Sequence, residues 1–547
     1  MKKAVAVFLL LAYLLMLASC AEPSDGNASD GAKPEDKPHV CVFTVESPKP
    51  KYIKSRATCT ERAQFYYSCS CGEMGTDSFE YGDLAGHSYY LKNAKEEYLA
   101  AEATVKTCAV YYKTCAVYYK SCKCGKAGEA TFEYGEPLRL SELQRQHLPT
   151  SLTVTLYDPI TYTYGFTYNS EHSPIEPVIQ IRGAAENEWR EYVPKTYEAS
   201  TYDENDNLIR IYISEAEITL EPDTEYVYRI GDKGADVFTP ESSFGTGNAS
   251  AESFTFVHAS DSQDGPEEFG RVLSALDGRA DFVIHTGDVV QNARYEHEWY
   301  EMLDTNYEQV MKIPIMAISG NHETAYTGTA FETDKHFHNR IPTQTSTERG
   351  YYYSFTYGSV KFIMLNTNDL EDNGLRAEQY DWLISELEGN TSEWTVVSLH
   401  NPLYSVGKYG ADETKNAVAL ALRDQLVGVF AEYGVDLVLQ GHDHAISRTF
   451  PIDKDGAPKT EAKLTENGVE YIVDPEGVIY VMNGPAGTQT RAPVSIDESL
   501  YAYAETSKKA SFAEIEVTGN TLTVTVKYHT GSGIQVYHTW GIKKTSK

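Results

Sequence analysis

Cysteine is missing from residue 125 to the end of the chain. That excludes thiolate metal ligands and disulfides from the longest part of the sequence. Positive charge is scarce: 47 Lys and Arg stand against 79 Asp and Glu, a formal net charge of −32. A surface of that sign excludes a polyanion such as DNA as a general partner, and its plainest consequence is solubility outside the cell. Long apolar runs are also missing after the first twenty residues, so no later segment reads as a membrane-spanning helix.

What is there begins with Lys2-Lys3, an apolar run from Ala4 to Leu17, and Ala18-Ser19-Cys20. Two Lys, a short apolar stretch and small residues read as a secretion signal over residues 1–20. The Leu-Ala-Ser-Cys ending resembles a bacterial lipobox, which implies a lipid on Cys20 and an exported, membrane-anchored lipoprotein on the cell surface or in the periplasm. Residues 21–38 are Pro, Asp, Ser and Gly with almost nothing to bury, and read as a disordered tether.

Residues 39–138 hold every cysteine after Cys20: Cys41, Cys59, Cys69, Cys71, Cys108, Cys115, Cys122 and Cys124. Two stretches, 68–84 and 121–137, align without gaps, each a C-x-C followed by a β-like segment ending in Tyr-Gly. This module is similar to small Cys-rich repeats of bacterial cell-surface proteins, and its expected role is spacing or surface contact. Two readings of its cysteines stay open. One is a disulfide framework that compensates for a thin core. The other is structural zinc held by Cys59, Cys69, Cys71 and His87.

Residues 139–149 read as a helix-prone linker. From Pro149 the pattern turns to short strands with Pro and Asp turns, an all-β sandwich over 139–248. The segment Tyr226–Ile230, after Leu-Glu-Pro-Asp-Thr-Glu, resembles a late strand of a fibronectin type III-like domain. Tyr164 and Phe166 are expected in its core. The small, polar stretch 242–253 marks the next boundary, and a larger domain follows over 252–545.

Five apolar runs in that domain (FTFVHAS, ADFVIHT, PIMAIS, WTVVSL and VDLVLQ) each end in a polar cluster. The clusters are Asp261 with Gln263, Gly287-Asp288, Gly320-Asn321-His322-Glu323, His400, and His442-Asp443-His444. β-Branched runs of this length suit buried parallel strands, and helical patterns over 266–276, 298–312, 376–387 and 415–433 supply crossovers. Ligands then gather at the carboxyl ends of the strands. Carboxylates, amides and imidazoles without thiolate suit divalent ions such as Zn, Mn or Fe, and so many donors fit two ions sharing one carboxylate.

The series D-x-Q, G-D, G-N-H-E, V-x-x-H, G-H-x-H resembles that of the calcineurin-like metallophosphoesterases, and most of all their purple acid phosphatase-like branch. The resemblance implies an α/β four-layer sandwich of two β-sheets flanked by helices. It also implies a dinuclear metal centre whose bound hydroxide attacks a phosphomonoester. Asp288 is implied to bridge the metals, Asp261 and His444 to hold the first, and Asn321, His400 and His442 the second. His322 is implied to serve the leaving group or the transition state. Two departures stand out. Gln291 occupies the position of the branch's Tyr ligand, and Gln263 the position where many relatives carry His. Gln263 is then a candidate amide ligand, and iron without phenolate loses its charge-transfer colour. Two other functions stay open: a phosphodiesterase of the same fold, and a surface binding protein whose phosphatase domain is inert, which the two Gln substitutions favour.

Other residues receive expectations of their own. His258 and His285, inside apolar runs, are expected as satisfied core histidines. Asp443 is expected to point away from the ions, towards a supporting contact or solvent, and Glu323 to orient His322. Loops 404–416 and 323–350 are expected to face substrate, the first as a lid beside the metals and the second, which contains His336, His338 and Arg340, offering an Arg or Lys to a phosphate. The alternating strands at 511–530 and 535–544 are expected to complete a second sheet.

Overall fold

The computed structural model describes residues 40–87, 89, 91–92, 94–101, 104–106, 112–114, 116–122, 124–134, 140–276, 280–324, 331–340, 351–408, 417–491, 497–505, 509–530 and 533–545. The expected secretion signal and tether, Cys108, Cys115 and loop residues 409–416 lie outside the described residues. Among those described, no helix is long and apolar enough to cross a membrane. The chain divides into two compact units: residues 1–93 with 119–130, and residues 94–118 with 131–547.

The first unit contains the antiparallel strands Ile53–Ser55, Ala63–Ser68 and Met74–Tyr81. Its apolar core is small, with Tyr52, Phe65 and Phe79 as its buried members. The structure corrects the expected zinc set. Cys69 and Cys71 gather with Cys41, while Cys59 and His87 gather with Cys122 and Cys124.

In the second unit, residues 150–245 form two antiparallel sheets packed face to face. One runs in the order Lys195–Tyr202, Leu208–Thr219, Thr163–Ser170, Thr150–Asp158. The other is built on Pro177–Gly183 and Glu225–Asp232. Phe166 and Tyr228 meet edge to face at 5.4 Å between them, and Tyr164 is buried beside Phe244. Tyr226 Oη accepts the Glu221 N–H at 3.0 Å, fixing the turn before its strand. The preceding linker folds into the short helix Glu142–Gln146, because Ser141 and Gln144 form a reciprocal capping box.

Residues 253–545 contain two larger sheets. The eight-stranded one begins with Ile315–Ala317, Phe282–His285 and Ser253–Ala259, parallel to one another. The strands Ser511–Thr518, Thr521–Thr530 and Gly533–Lys543 continue this same sheet, Ser511–Thr518 pairing antiparallel with Ser253–Ala259. They therefore do not build a second sheet, as the sequence suggested; alternation marks a strand but not its partner. The seven-stranded sheet is centred on Trp394–Leu399, Leu437–Gln440 and Ile479–Asn483. Successive residues of its strands serve two layers, as a period of two requires. Phe362, Val396 and Leu439 join the core between the sheets. Ile363, Val397 and Val438 face the helices Ala377–Glu388 and Ala417–Glu432. The other sheet is backed by Pro266–Leu276, whose Phe269, Val272 and Leu273 are buried.

The β-sandwich and this α/β body share one continuous hydrophobic core. Tyr228 Oη donates to Met311 O at 2.7 Å, and Ser151 N–H donates to Asp304 Oδ1 at 2.8 Å. The insertion after residue 323 belongs to this junction. His336 is buried, stacked on Trp299 at 4.0 Å and facing Glu296 at 3.3 Å. His338 faces Glu215 and Glu217, and Arg340 pairs with Asp158 at 2.8 Å. The phosphate-gripping role expected of an Arg or Lys in this insertion is thereby corrected for Arg340, whose partner is a carboxylate of the junction.

Candidate metal centre

Each predicted cluster sits just past the carboxyl end of a strand. Ser253–Ala259 leads to Asp261, Phe282–His285 to Asp288, Ile315–Ala317 to Asn321, Trp394–Leu399 to His400, and Leu437–Gln440 to His442 and His444. The chain turns sharply there. Asp261, Asp288, His442 and His444 all have left-handed backbone, with φ of 53°, 55°, 75° and 48°. Such conformations in non-glycine residues cost on the order of 1 kcal/mol each and collect where side chains must be aimed. Glycines permit the close approach. A Cβ on Gly320 would lie 2.1 Å from Asp288 Oδ1, and Gly287, at φ 91°, packs against the Gly320 backbone. Replacing Gly320 with Ala should displace the Asp288 carboxylate. The expected result is lost metal content with little loss of secondary structure, read by elemental analysis beside circular dichroism.

The aimed side chains fall into two groups. Asp288, His400 and His442 form one, and Asp261, Asp288 and His444 the other; within each, the donor atoms lie within 4.8 Å of one another. Asp288 belongs to both. Asn321 Oδ1 lies 3.1 Å from His400 Nε2, which places the amide in the first group. His400 Nδ1–H donates to Thr286 O at 2.8 Å, and His444 Nδ1–H donates to Gln489 O. Both rings therefore turn Nε2 inward, where His400 faces Asp288 Oδ2 and His444 faces Asp261 Oδ1, each at 3.4 Å.

The electrostatics fit cations. Burial alone would raise the Asp261 carboxyl, but the His444 charge and hydrogen bond overcome it and hold Asp261 below the usual carboxylate range. Asp288 is likewise lowered, against burial, by His400. Burial opposes a charge on His400, yet Asp288 and Asp261 raise it to about 9, and Asp261 raises His444. Protons and a metal ion would compete for the inner nitrogens of these rings. His442, held down at about 3 by burial and by the His400 charge, keeps a neutral ring. The Gln263 side chain lies in the same space. Its Nε2 is 3.3 Å from Asp288 Oδ2 and 3.4 Å from His444 Nε2, while its buried Oε1 has no partner. That orphaned acceptor, and a donor set of oxygen and nitrogen, fit hard or borderline divalent ions.

Gln291 is placed elsewhere: its Oε1 accepts from Gln489 Nε2 at 2.9 Å, and Gln489 is itself held by Asp264 at 2.6 Å. His322 stands at the rim. Its Nδ1–H donates to Gln291 O at 2.5 Å, leaving Nε2 3.7 Å from Asp288 Oδ2 with a quarter of the side chain exposed. His258 is bonded at both ring nitrogens, to Thr286 and Asn483, and burial holds it neutral. His285 bonds Ser262 at 3.0 Å and is also held neutral by burial.

Of two supporting residues, Glu323 differs from expectation and Asp443 takes the first of its two expected places, a supporting contact. Glu323 does not touch His322. Its Oε2 accepts the N–H groups of Gly320 and Asp288 at 2.6 and 2.8 Å, and its Oε1 that of Val289 at 2.8 Å. Asp443 is fully buried rather than solvated, accepting from Ser405 Oγ and from Lys408 N–H at 3.1 Å. The described part of the expected lid, residues 404–408, is thus tied to the His442–His444 turn. No motif announces either role, because backbone N–H partners leave no mark on a sequence.

Residues 254–445 match the family model for calcineurin-like phosphoesterases. An uncharacterized protein of Mycobacterium tuberculosis is 29% identical over 209 residues, covering 35% of this chain and 38% of that one. Purple acid phosphatase 23 of Arabidopsis thaliana is 25% identical over 309 residues, covering 50% of this chain and 62% of its own. The chain thus spans less than two thirds of either relative. Among solved structures, purple acid phosphatase PPD1 from yellow lupin superposes with a TM-score of 0.61 at 18% identity, covering 73% of this chain and 75% of the other. At that identity the likeness speaks for the fold: a metallophosphoesterase α/β architecture. Together these comparisons support a calcineurin-like phosphoesterase domain over residues 254–445.

Proposed function

We propose that the calcineurin-like phosphoesterase domain matched over residues 254–445 makes this chain a metal-dependent phosphomonoesterase with a dinuclear centre. The observation that carries this reading is that two donor groups share a single carboxylate, Asp288. Asp261, Asp288 and His444, with Gln263 contributing its amide oxygen, would hold one ion; Asp288, Asn321, His400 and His442 would hold the other. A bound pair of this kind supplies Lewis acidity at phosphorus and a water acidified towards neutral pH.

The chain's own residues do the rest. Thr286 O and Gln489 O fix the tautomers of His400 and His444, so their inner nitrogens need no reorientation. Gln291 O holds His322 Nδ1–H and turns Nε2 to the open rim, where the ring, once protonated at both nitrogens, would give its Nε2 proton to a leaving alkoxide. Gln263 is neutral where an imidazole or phenolate would be a stronger donor, so its ion should be the more weakly held of the two. Export, a lipid anchor on Cys20 and a fibronectin type III-like identity for the sandwich are proposed with this reading; the sequence at Lys2–Cys20 and the Tyr226 turn support them.

The test is hydrolysis of p-nitrophenyl phosphate against bis-p-nitrophenyl phosphate after reconstitution with Zn, Mn or Fe. The monoester should be preferred by roughly tenfold or more, a discrimination one or two contacts provide. A preference for the diester would make the chain a phosphodiesterase of the same fold. Silence towards both with two metals per chain would leave an inert binding domain.

A further inference from the structure

The first unit carries a cluster with no part in the chemistry above. Cys59 Sγ lies 3.1 Å from Cys122 Sγ, and Cys122 Sγ lies 2.9 Å from Cys124 Sγ. His87 Nδ1 faces both of the latter, at 3.5 and 3.4 Å. All four donor atoms lie within 4.8 Å of one another. Two sulfurs about 2.3 Å from one tetrahedral zinc ion stand about 3.8 Å apart, and the contacts here, from 2.9 to 3.5 Å, need open only slightly to admit one ion.

The local backbone is built for this. Cys122 N–H donates to Lys126 O and Gly125 N–H to Cys122 O, each at 3.0 Å, with Gly125 left-handed at φ 87°. This tight turn aims Cys124 N–H at Cys122 Sγ, 3.4 Å away, a contact that favours thiolate. The first repeat copy makes the same turn: Cys69 N–H to Glu73 O and Gly72 N–H to Cys69 O, each at 2.9 Å, with Gly72 at φ 91° and Cys71 N–H 3.5 Å from Cys69 Sγ. A disulfide framework explains neither the imidazole facing two thiols nor the odd number of thiols at Cys41, Cys69 and Cys71. Zinc coordination explains the imidazole and uses every donor of the four-membered cluster. Among the described residues the unit's apolar core is small, so burial there contributes little stability.

We propose that Cys59, His87, Cys122 and Cys124 form a closed, tetrahedral structural zinc site that joins the two copies of the Cys-rich repeat. Cys59 and His87 flank the first copy (68–84), while Cys122 and Cys124 open the second (121–137). The ion thereby fixes the second C-x-C turn to the segments bracketing the first, and most of the unit's stability becomes metal-dependent.

Cobalt(II) tests this in the full chain, prepared under reducing conditions and stripped with chelator. Thiolate ligation gives an intense near-ultraviolet charge-transfer band that the oxygen and nitrogen donors of the other centre do not produce. The band should appear in the native chain, survive His442→Ala, keep the share of this site in Cys41→Ser, and lose that share in Cys59→Ser. His87→Cys should keep the ion and raise the site's intensity by roughly a third, from three sulfur ligands to four. That gain cannot come from misfolding. The proposal is overturned if the native chain shows no such band, if Cys59→Ser keeps full intensity, or if His87→Cys adds none. It also falls if the unreduced chain yields Cys59 disulfide-linked to Cys122 or Cys124.

Discussion

Changing Asp288 to Asn should abolish turnover, with a loss of at least about 10³-fold in kcat/KM, the scale of removing one electrostatic stabiliser of a transition state and more. Asp288 is the only side chain common to both donor groups, so a neutral amide there weakens two sites at once. The substitution preserves volume in a buried position. One oxygen remains to accept the His322 N–H, which now reaches Asp288 Oδ1 at 2.9 Å. The fold should therefore survive. In the stripped protein, stability should fall modestly, because the folded chain favours the ionised Asp288 carboxylate that faces His400, an effect only partly offset by relief of Glu323. Added metal should raise the melting temperature of the native chain and leave the variant's nearly unmoved. Full activity with two metals per chain in Asp288→Asn would refute the shared-carboxylate centre.

Much of this site is legible in the sequence because of where the polar residues fall. Buried parallel strands need apolar residues on both faces, so the first polar residue after each run marks the strand's end, where ligands collect. Asp261, Asp288, Asn321, His400, His442 and His444 are all found that way. The helix Pro266–Leu276 is equally plain, with Pro at its start and an apolar stripe over Phe269, Val272 and Leu273. What resists is partnership across the chain. Alternation at 511–543 marks strands but not the sheet they join. Two C-x-C pairs, four further thiols and a histidine permit several groupings, and among the described residues only folding selects Cys41 for the first pair and Cys59 with His87 for the second. The insertion with His336, His338 and Arg340 is polar enough to suit a substrate loop. Its acceptors, Glu296, Glu217 and Asp158, lie far away in sequence.

Glu323 is the strongest instance of a role hidden in this way, and Glu323→Gln should be far more damaging than its shape suggests. The carboxylate, fully buried, receives N–H groups from Asp288, Val289 and Gly320, and so splices the Gly287–Val290 turn to the Gly320–Asn321 turn. Burial and the Asp288 charge push its pKa up to about 7, while the Gly320 and Asp288 N–H bonds and His400 pull the other way. Both oxygens accept and neither donates, which is the pattern of the ionised form, and cations beside Asp288 would favour it further. An amide in its place must point two N–H donors at backbone N–H groups. One buried donor and its partner are then unsatisfied, at about 1–3 kcal/mol each. Because the carboxyl has a raised pKa in the folded chain, the cost of its ionisation is absent below the unfolded value near 4.5 and grows as pH rises through about 7. In the stripped native chain, stability should accordingly fall across that window, and Glu323→Gln should remove this dependence while lowering stability overall. With the two turns unspliced, Asp288 and Asn321 lose their relative placement, and metal content and activity should fall together, by roughly a hundredfold in kcat/KM. A Glu323→Gln protein with native melting behaviour and native activity would show that the turns hold themselves, and that the buried carboxylate is incidental.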